Sequence, residues 1–449
     1  MTYAIPSALR SVTVAVGAVC AMLAGEASAI SLRQAYEAAL QNDPAYRMNY
    51  YENESAKENR ILGRAALLPN ISASYSASRN RADIEALDAI GRTSLTHPNY
   101  ISRSAIVQLR QPIVNLEAIA RYRQGKAQTK LGAEVFEANT AEVALRVVGA
   151  YSDALFADDQ LALSQVQRDM YAEQQKVNQR LFEKGEGTRT DMLETQARLD
   201  LSEAQLLEAR DNLKAQRTTL ESVIGMDPGA LDKLGTEFRF EQLTPSTFEE
   251  WKAIALTNNH DLAAARLQVE VARLEIGRQR AGHAPRLDLI ATYSKGDSET
   301  LNTYTQNTVN RSIGIQLNVP IYAGGAVNAT TRQAAAGYER AKADLDLKTN
   351  KVLLELRKAH DLTLSSVARV AALVKSTESG KELMKATEQS IKGGVRINLD
   401  LLNAQQQLFT SQRDLAAARY SYLLGLLRLR SAAGTLEADN IRQIAAYFR

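Results

Sequence analysis

The 449-residue chain holds one cysteine, nine prolines and a 6% share of aromatic residues, and each scarcity excludes something. Cys20 lies in the N-terminal segment, so the chain from Ile30 onward has no thiol for a disulfide, a thiolate metal site or a cysteine nucleophile. The four histidines, His97, His260, His283 and His360, stand at no metal-ligand spacing, and each reads as a surface or loop residue. No Walker loop, dinucleotide fingerprint or G-x-S-x-G elbow occurs, and the glycine pairs Gly324-Gly325 and Gly393-Gly394 read as turns. An enzyme, a cofactor site and a metal site are therefore not expected. Lys and Arg exceed Asp and Glu by only 54 to 51 with no basic run, which argues against nucleic acid as a partner. Beyond residue 29 no apolar run approaches the length of about 18 residues that a membrane-spanning helix needs.

Residues 1–29 read as a secretory signal peptide. Arg10 supplies the positive flank, Ser11 to Ala24 the short apolar stretch, and Ala27-Ser28-Ala29 the A-x-A cleavage pattern. An exported chain without a helical span is periplasmic, secreted or an outer-membrane barrel.

From Ile30 onward the chain is written twice. Arg64 and Pro69 in "RAALLPNI" recur as Arg280 and Pro285 in "RAGHAPRL", 216 positions on, and "VQLRQPIVN" from Val107 recurs as "IQLNVPIYA" from Ile315, 208 positions on. That second register holds through Lys184-Gly185 and Lys392-Gly393. The pattern predicts a first repeat over 30–225, with a leading helix, strands near 70–79 and 103–112, a long helix 116–184 and a return helix 190–224. A mixed segment, 226–247, joins it to a second repeat over 248–434, with a leading helix, strands near 286–295 and 312–321, a long helix 326–392 and a return helix 398–433. Residues 435–449 form a tail.

The strand segments alternate with period two. Ile71, Ala73, Tyr75 and Ala77 oppose serines 72, 74, 76 and 78; Ala105, Val107 and Leu109 oppose Ser104, Gln108 and Arg110. Leu287 to Tyr293 repeats the alternation, and Ile313, Ile315, Leu317, Val319 and Ile321 oppose Ser312, Gly314, Gln316 and Asn318. About ten residues suffice for a tilted strand to cross hydrocarbon. A half-buried strand of a soluble sheet alternates in the same way, but the polar stretches Asn80–Tyr100 and Lys295–Asn310 fit the long loops of an outer-membrane barrel. Four strands cannot close a barrel, and an open edge in lipid leaves backbone groups unpaired, so several copies must contribute.

Leu116–Lys184 and Ala326–Lys392 lack proline, and close to 70 residues of helix extend roughly 100 Å. The return helices carry a strict heptad: Met192, Leu199, Leu206, Leu213, Leu220, then Leu401, Leu408, Leu415, Tyr422, Leu429. An antiparallel soluble coiled coil has this heptad; a helical wall around a water-filled lumen has it too.

Three stretches, "LNVPIYAGG", "GVRINLDLLNAQQQL" and "ARYSYLLGLLRLRSAAGTL", resemble the TolC-type outer-membrane channel-tunnel family, and the likeness runs over about 30 to 434. The resemblance implies an α+β membrane protein in which a homotrimer builds one 12-stranded β-barrel in outer-membrane lipid. An α-helical coiled-coil barrel continues it through the periplasm, girdled by a small equatorial domain. It implies a non-catalytic exit duct, joined through a periplasmic adaptor (membrane fusion) protein to an inner-membrane ABC or proton-driven pump. Type I protein secretion is the favoured role; multidrug efflux, or a periplasmic coiled-coil scaffold without a pore, are the alternatives. Matched onto this sequence, Asp400 stands for the first of two pore aspartates and Asn403 replaces the second. Arg396 stands for the arginine of an entrance-closing link, Thr190 and Asp191 for its acceptors, and Ile391 for a tyrosine that makes a second link. Lys184, Gly185, Lys392, Gly393 and Gly394 mark the helical turn tips.

Overall fold

A computed structural model describes residues 29–87, 90–235, 238, 240, 243–298, 306–393 and 395–448. Residues 1–28, which hold Cys20 and nearly all of the expected signal peptide, and Gly394 of the expected turn tips lie outside the described residues. The first half runs α1 (Leu32–Asn42), α2 (Pro44–Ala65), β1 (Asn70–Arg81), β2 (Ile84–Leu87), β3 (Thr93–Thr96), β4 (Asn99–Val114), α3 (Leu116–Glu183) and α4 (Arg189–Ile224). The second runs α5 (Phe248–Asn258), α6 (His260–Arg280), β5 (Arg286–Ser298), β6 (Gln306–Asn318), α7 (Ala326–Lys392) and α8 (Asn398–Ala433), followed by α9 (Ala438–Ala445). Helix lengths match pairwise: 11 and 11 residues for α1 and α5, 68 and 67 for α3 and α7, 36 and 36 for α4 and α8. No described helix is long and apolar enough to cross a membrane.

Several expected boundaries move. The leading helix of each repeat is two helices, because the backbone turns extended at Asp43 and at Asn259, with ψ 118° and 122°. Pro44, whose missing N–H costs nothing at a first helical position, starts α2. β4 spans 99–114 rather than 103–112, and the stretch 80–100 carries the β2–β3 hairpin instead of a plain loop. Apolar alternation marks only the apolar part of a strand, while hydrogen-bonded pairing continues into polar sequence. β6 begins at Gln306 and stops at Asn318, short of the expected 321, where Pro320 has no N–H for a ladder.

Two compact units alternate along the chain. One comprises Tyr50–Phe136 and His260–Asn350 and contains an antiparallel sheet in the order β1-β4-β5-β6. Its register aligns Ile71 with Leu109, Leu109 with Ala291 and Ala291 with Ile313, so the apolar residues of all four strands share one face. On the opposite face Asp288, 1% exposed, accepts from Arg110 Nε at 3.0 Å and lies 3.2 Å from Arg286 Nε. Strands β1 and β6 are the two edges. Below the sheet α2 and α3 approach to backbone contact: a Cβ on Gly125 would lie 2.3 Å from the Asn59 carbonyl oxygen. Helix α6 joins α3 through Gln124 to Glu275 at 2.9 Å and His260 to Glu134 at 2.8 Å.

The other unit comprises the chain up to Asn49, Glu137–Asn259 and Lys351–Arg449. Its core centres on buried Tyr151, whose hydroxyl donates to the carbonyls of Ile30 at 2.9 Å and Asp232 at 3.2 Å. Phe238 and Phe240 set their rings edge-on to Tyr422, and Phe448 does the same to Tyr151, so the 226–247 segment and the tail pack on one core. Nearby, burial holds the Asp159 carboxyl above its usual range while Tyr420 donates to it at 2.9 Å. His360 departs from the expected surface placement: it is buried in α7 with its ring 5.8 Å from Phe248. The two return helices end alike, at Gly225 and Gly434 with φ 71° and 70°, and each end accepts an amide hydrogen bond, from Asn42 and from Asn259.

Most of the heptad leucines of α4 and α8 are buried, but a second seam runs beside them. Thr195, Ser202 and Ala209 in α4, and Ala404, Ser411, Ala418 and Gly425 in α8, recur every seven residues and are all buried. Small side chains there let neighbouring helices approach closely; a Cβ on Gly425 would stand 3.1 Å from Thr363 Oγ1.

Candidate functional site

The candidate site is the pair of helical turns that join α3 to α4 and α7 to α8. In the first, α3 ends at Glu183, the Lys184 N–H donates back to the Arg180 carbonyl at 3.2 Å, and Gly185 reverses the chain at φ 76°, a left-handed conformation that a side chain would strain. Glu186 and Gly187 return their N–H groups to the Leu181 carbonyl at 2.9 and 3.1 Å, closing the helix end. Thr188 then caps α4 in a reciprocal box: its hydroxyl accepts the Asp191 N–H at 3.1 Å and its own N–H donates to the Asp191 carboxylate at 3.3 Å.

The second turn has the same length but poorer chemistry. Gly393 and Val395 donate back to Gln389 and Ser390 at 3.1 and 3.0 Å, which ends α7. Ile397 occupies the N-cap of α8 and has no side chain to cap it. Asp400 supplies the only acidic residue of the first turn, facing the helix dipole, and Arg396 lies 3.5 Å from it. Replacing Ile397 with Ser or Thr is expected to stabilise the start of α8 by about 0.5–2 kcal/mol, seen as slower amide exchange over 398–402. Thr188→Ala should loosen α4 by a similar amount; equal exchange in both variants and the parent would refute the contrast.

The expected link from Arg396 to Thr190 and Asp191 is not made within the chain among the described residues. Asp191 is engaged in its own cap and Arg396 with Asp400, while Thr190 is exposed and Ile391 half-buried. Asn403 is exposed and accepts from Arg198 of α4 at 3.2 Å.

A different set of residues ties these turns together. One helical turn in from the tip, the Thr195 hydroxyl accepts from Asn178 Nδ2 at 2.7 Å and from Asn398 Nδ2 at 3.1 Å, and donates to the Asp191 carbonyl at 2.8 Å. One donor and two lone pairs are thus all used. Gln174 closes the ring, donating to Asn398 at 3.0 Å and Asn178 at 3.2 Å. Thr195, Asn178 and Asn398 are buried, so this ring joins α3, α4 and α8 in a low-dielectric setting. Behind it Tyr171, Leu199 and Leu402 form an apolar layer; burial pushes the Tyr171 phenol up, and Gln167 and Tyr171 both donate to Gln406. The sequence signal for this ring is the seven-residue spacing of Thr195, Ser202 and Ala209, a small-residue seam beside the Met192–Leu199 heptad.

The profile of the family described as "Outer membrane efflux protein" matches residues 35–226 and 251–435. The chain is 40% identical over 443 residues to the alkaline protease secretion protein AprF of Pseudomonas aeruginosa, covering 98% of this chain and 92% of that one. It is 36% identical to the proteases secretion protein PrtF of Dickeya chrysanthemi, covering 98% and 96%, and 29% identical to the outer membrane protein TolC of Vibrio cholerae, covering 96% and 97%. The fold is similar to that of the outer membrane protein VceC from Vibrio cholerae, with a TM-score of 0.76 at 17% identity over 90% of this chain and 96% of that one. A profile match across both halves, on a duplicated chain of paired strands and matched long helices, shows that this chain belongs to the outer membrane efflux protein family.

Proposed function

We propose that three copies of this chain close a 12-stranded barrel in the outer membrane and serve as the exit duct of a tripartite export system. The observation that carries this is the sheet β1-β4-β5-β6, apolar along one face and unpaired at both edges. Its backbone groups are satisfied in lipid only if β1 of one copy pairs with β6 of the next. The helices continue the duct into the periplasm, where an adaptor protein joins it to an inner-membrane pump. Protein cargo driven by an ABC pump is the favoured reading, because the relatives at 40% and 36% identity are named for protease secretion. The test exploits the absence of thiols after residue 29. Single cysteines scanned along β1 and β6 should form disulfides between copies, giving a covalent ladder that ends at three chains. No crosslink at any register, or a ladder ending at two, would overturn the trimer. Co-purification of an ABC pump and adaptor after crosslinking in cells supports protein export; recovery of a proton-driven pump instead supports drug efflux.

In the assembled duct the turn tips form the periplasmic entrance. Asp400 supplies its acidic ring, with Asn403 contributing no charge, and Arg396 links to an acceptor at Thr190 or Asp191 of a neighbouring copy. Asp400→Asn should nearly abolish block by trivalent cations in planar bilayers, since a narrow mouth focuses the field of its carboxylates. Arg396→Ser should raise single-channel conductance. Unaltered block in the first variant would place the acidic ring elsewhere, and unaltered conductance in the second would remove Arg396 from the closed state.

A further inference from the structure

The outward apolar face of the sheet does not simply fade toward the β1–β4 and β5–β6 connections. On every strand its unbroken run stops at a cation, beyond which Val309 in β6 and Ile101 in β4 are the remaining apolar residues of that face among the described residues. In β6 the run Leu317, Ile315, Ile313 ends at Arg311; in β5 the run from Leu287 to Tyr293 ends at Lys295. In β4 the run Leu109 to Ala105 ends at Arg103, and in β1 Ile71 to Ala77 ends at Arg79. The register puts all four on the apolar face: Arg311 pairs with Tyr293, Lys295 with Ala105, Arg103 with Ala77 and Arg79 with Ile101. All four side chains are exposed.

The cations also form a line. From β6 to β5 to β4 to β1, each lies one paired row, or two residues, beyond the last. That is about 6.7 Å along the strand for about 4.8 Å across, a level line where the strands tilt somewhat more steeply than the usual range of about 35–45°. The opposite edge of the apolar face climbs at the same rate. It begins at Leu287 in β5 and at Ile71 in β1, whose row crosses β5 at Ala291, four residues on over two strands. The cation line across four strands, and the matching offset of the far edge between β5 and β1, outline a band with a positive rim.

Only one charge opposes the rim among the described residues: Asp297 lies 3.6 Å from Arg103. Arg311 stands 5.6 Å over the Tyr293 ring, and Tyr75 is exposed on the same face, the amphipathic rings that settle at headgroup depth. A row of four cations on such a rim attracts anionic phosphate groups at headgroup depth.

We infer that this rim, resting on the barrel reading proposed for the trimer, binds the phosphate groups of lipids in the outer leaflet, with the acyl chains lying against the apolar band. The trimer carries three copies of the line, and its occupant is a lipid whose headgroup carries more than one phosphate charge, which the row of cations complements. The test uses the full-length protein in mixed micelles, titrated with a diphosphorylated glycolipid or with zwitterionic phosphatidylcholine and read by native mass spectrometry of bound lipid. The wild type should retain the phosphorylated lipid preferentially, and that preference should collapse as salt is raised. The fourfold variant Arg79→Gln, Arg103→Gln, Lys295→Gln, Arg311→Gln should lose affinity about tenfold or more, while Arg79→Lys, Arg103→Lys and Arg311→Lys together should keep most of it. Equal retention of the two lipids by wild type, or no loss in the fourfold variant, overturns the site. Displacement by millimolar inorganic phosphate overturns the lipid assignment. Should the fourfold variant not assemble, the salt dependence of the wild type decides. A wild type that forms no trimer and no pore overturns the barrel reading itself, and this inference with it.

Discussion

Lysine at position 317 is expected to cost about 2–4 kcal/mol per subunit in membrane stability, and lysine at position 316 very little. Leu317 sits mid-run on the apolar face, paired with Leu287 and 63% exposed in the single chain, whereas Gln316 pairs with Asp288 on the other face. A midplane ammonium facing acyl chains has no partner, while one facing a water-filled lumen keeps its hydration and gains a carboxylate neighbour. Denaturant titration of the trimer refolded into lipid vesicles measures both variants. Equal losses at the two positions would mean that the sheet does not separate lipid from lumen.

The second large effect is expected at Thr195. Thr195→Val keeps the shape and removes the hydroxyl that Asn178 and Asn398 both donate to. Each buried amide N–H left without a partner costs about 1–3 kcal/mol, against a net worth of about 0.5–1.5 kcal/mol for the bond itself. The melting temperature should fall, amide exchange should rise over 191–200 and 395–402, and Thr195→Ser should restore both. Replacing the ring apolar throughout, with Asn178→Leu, Thr195→Val and Asn398→Leu, should recover much of the loss because no polar group is stranded. If Thr195→Val changes neither melting nor exchange, the ring does not hold α8 against α3 and α4.

These two positions also show how far the residues speak for themselves. Leu317 announced its face through period two, because a strand turns alternate side chains to opposite sides whatever surrounds it. Thr195 did not announce its partners. A polar residue on a seam is equally compatible with a solvated notch and a buried junction, and only the arrival of Asn178 and Asn398 from 17 and 203 residues away decides between them. In the single chain Arg396 and Asp191 are engaged elsewhere for a related reason. Local geometry offered each a nearer partner, a capping threonine for Asp191 and an i+4 carboxylate for Arg396.

The second seam of small residues lay open in the spacing 404, 411, 418, 425, but its meaning required knowing that helices approach on that side. Likewise Tyr151, Phe238, Tyr422 and Phe448 are scattered along the chain, and no local pattern gathers them into one core. The hairpin inside 80–100 was hidden because its strands are four residues each, too short for alternation to register.

The duplication, the paired strands and long helices of each half, and the apolar face were all legible from the residues, since they follow from spacing and periodicity along one chain. Which polar groups are buried together, where strands end, how the cations align across four strands and which turn is capped emerged only once the chain was folded. Those properties depend on register between distant segments, and register is a property of pairing, which spacing along the chain does not encode.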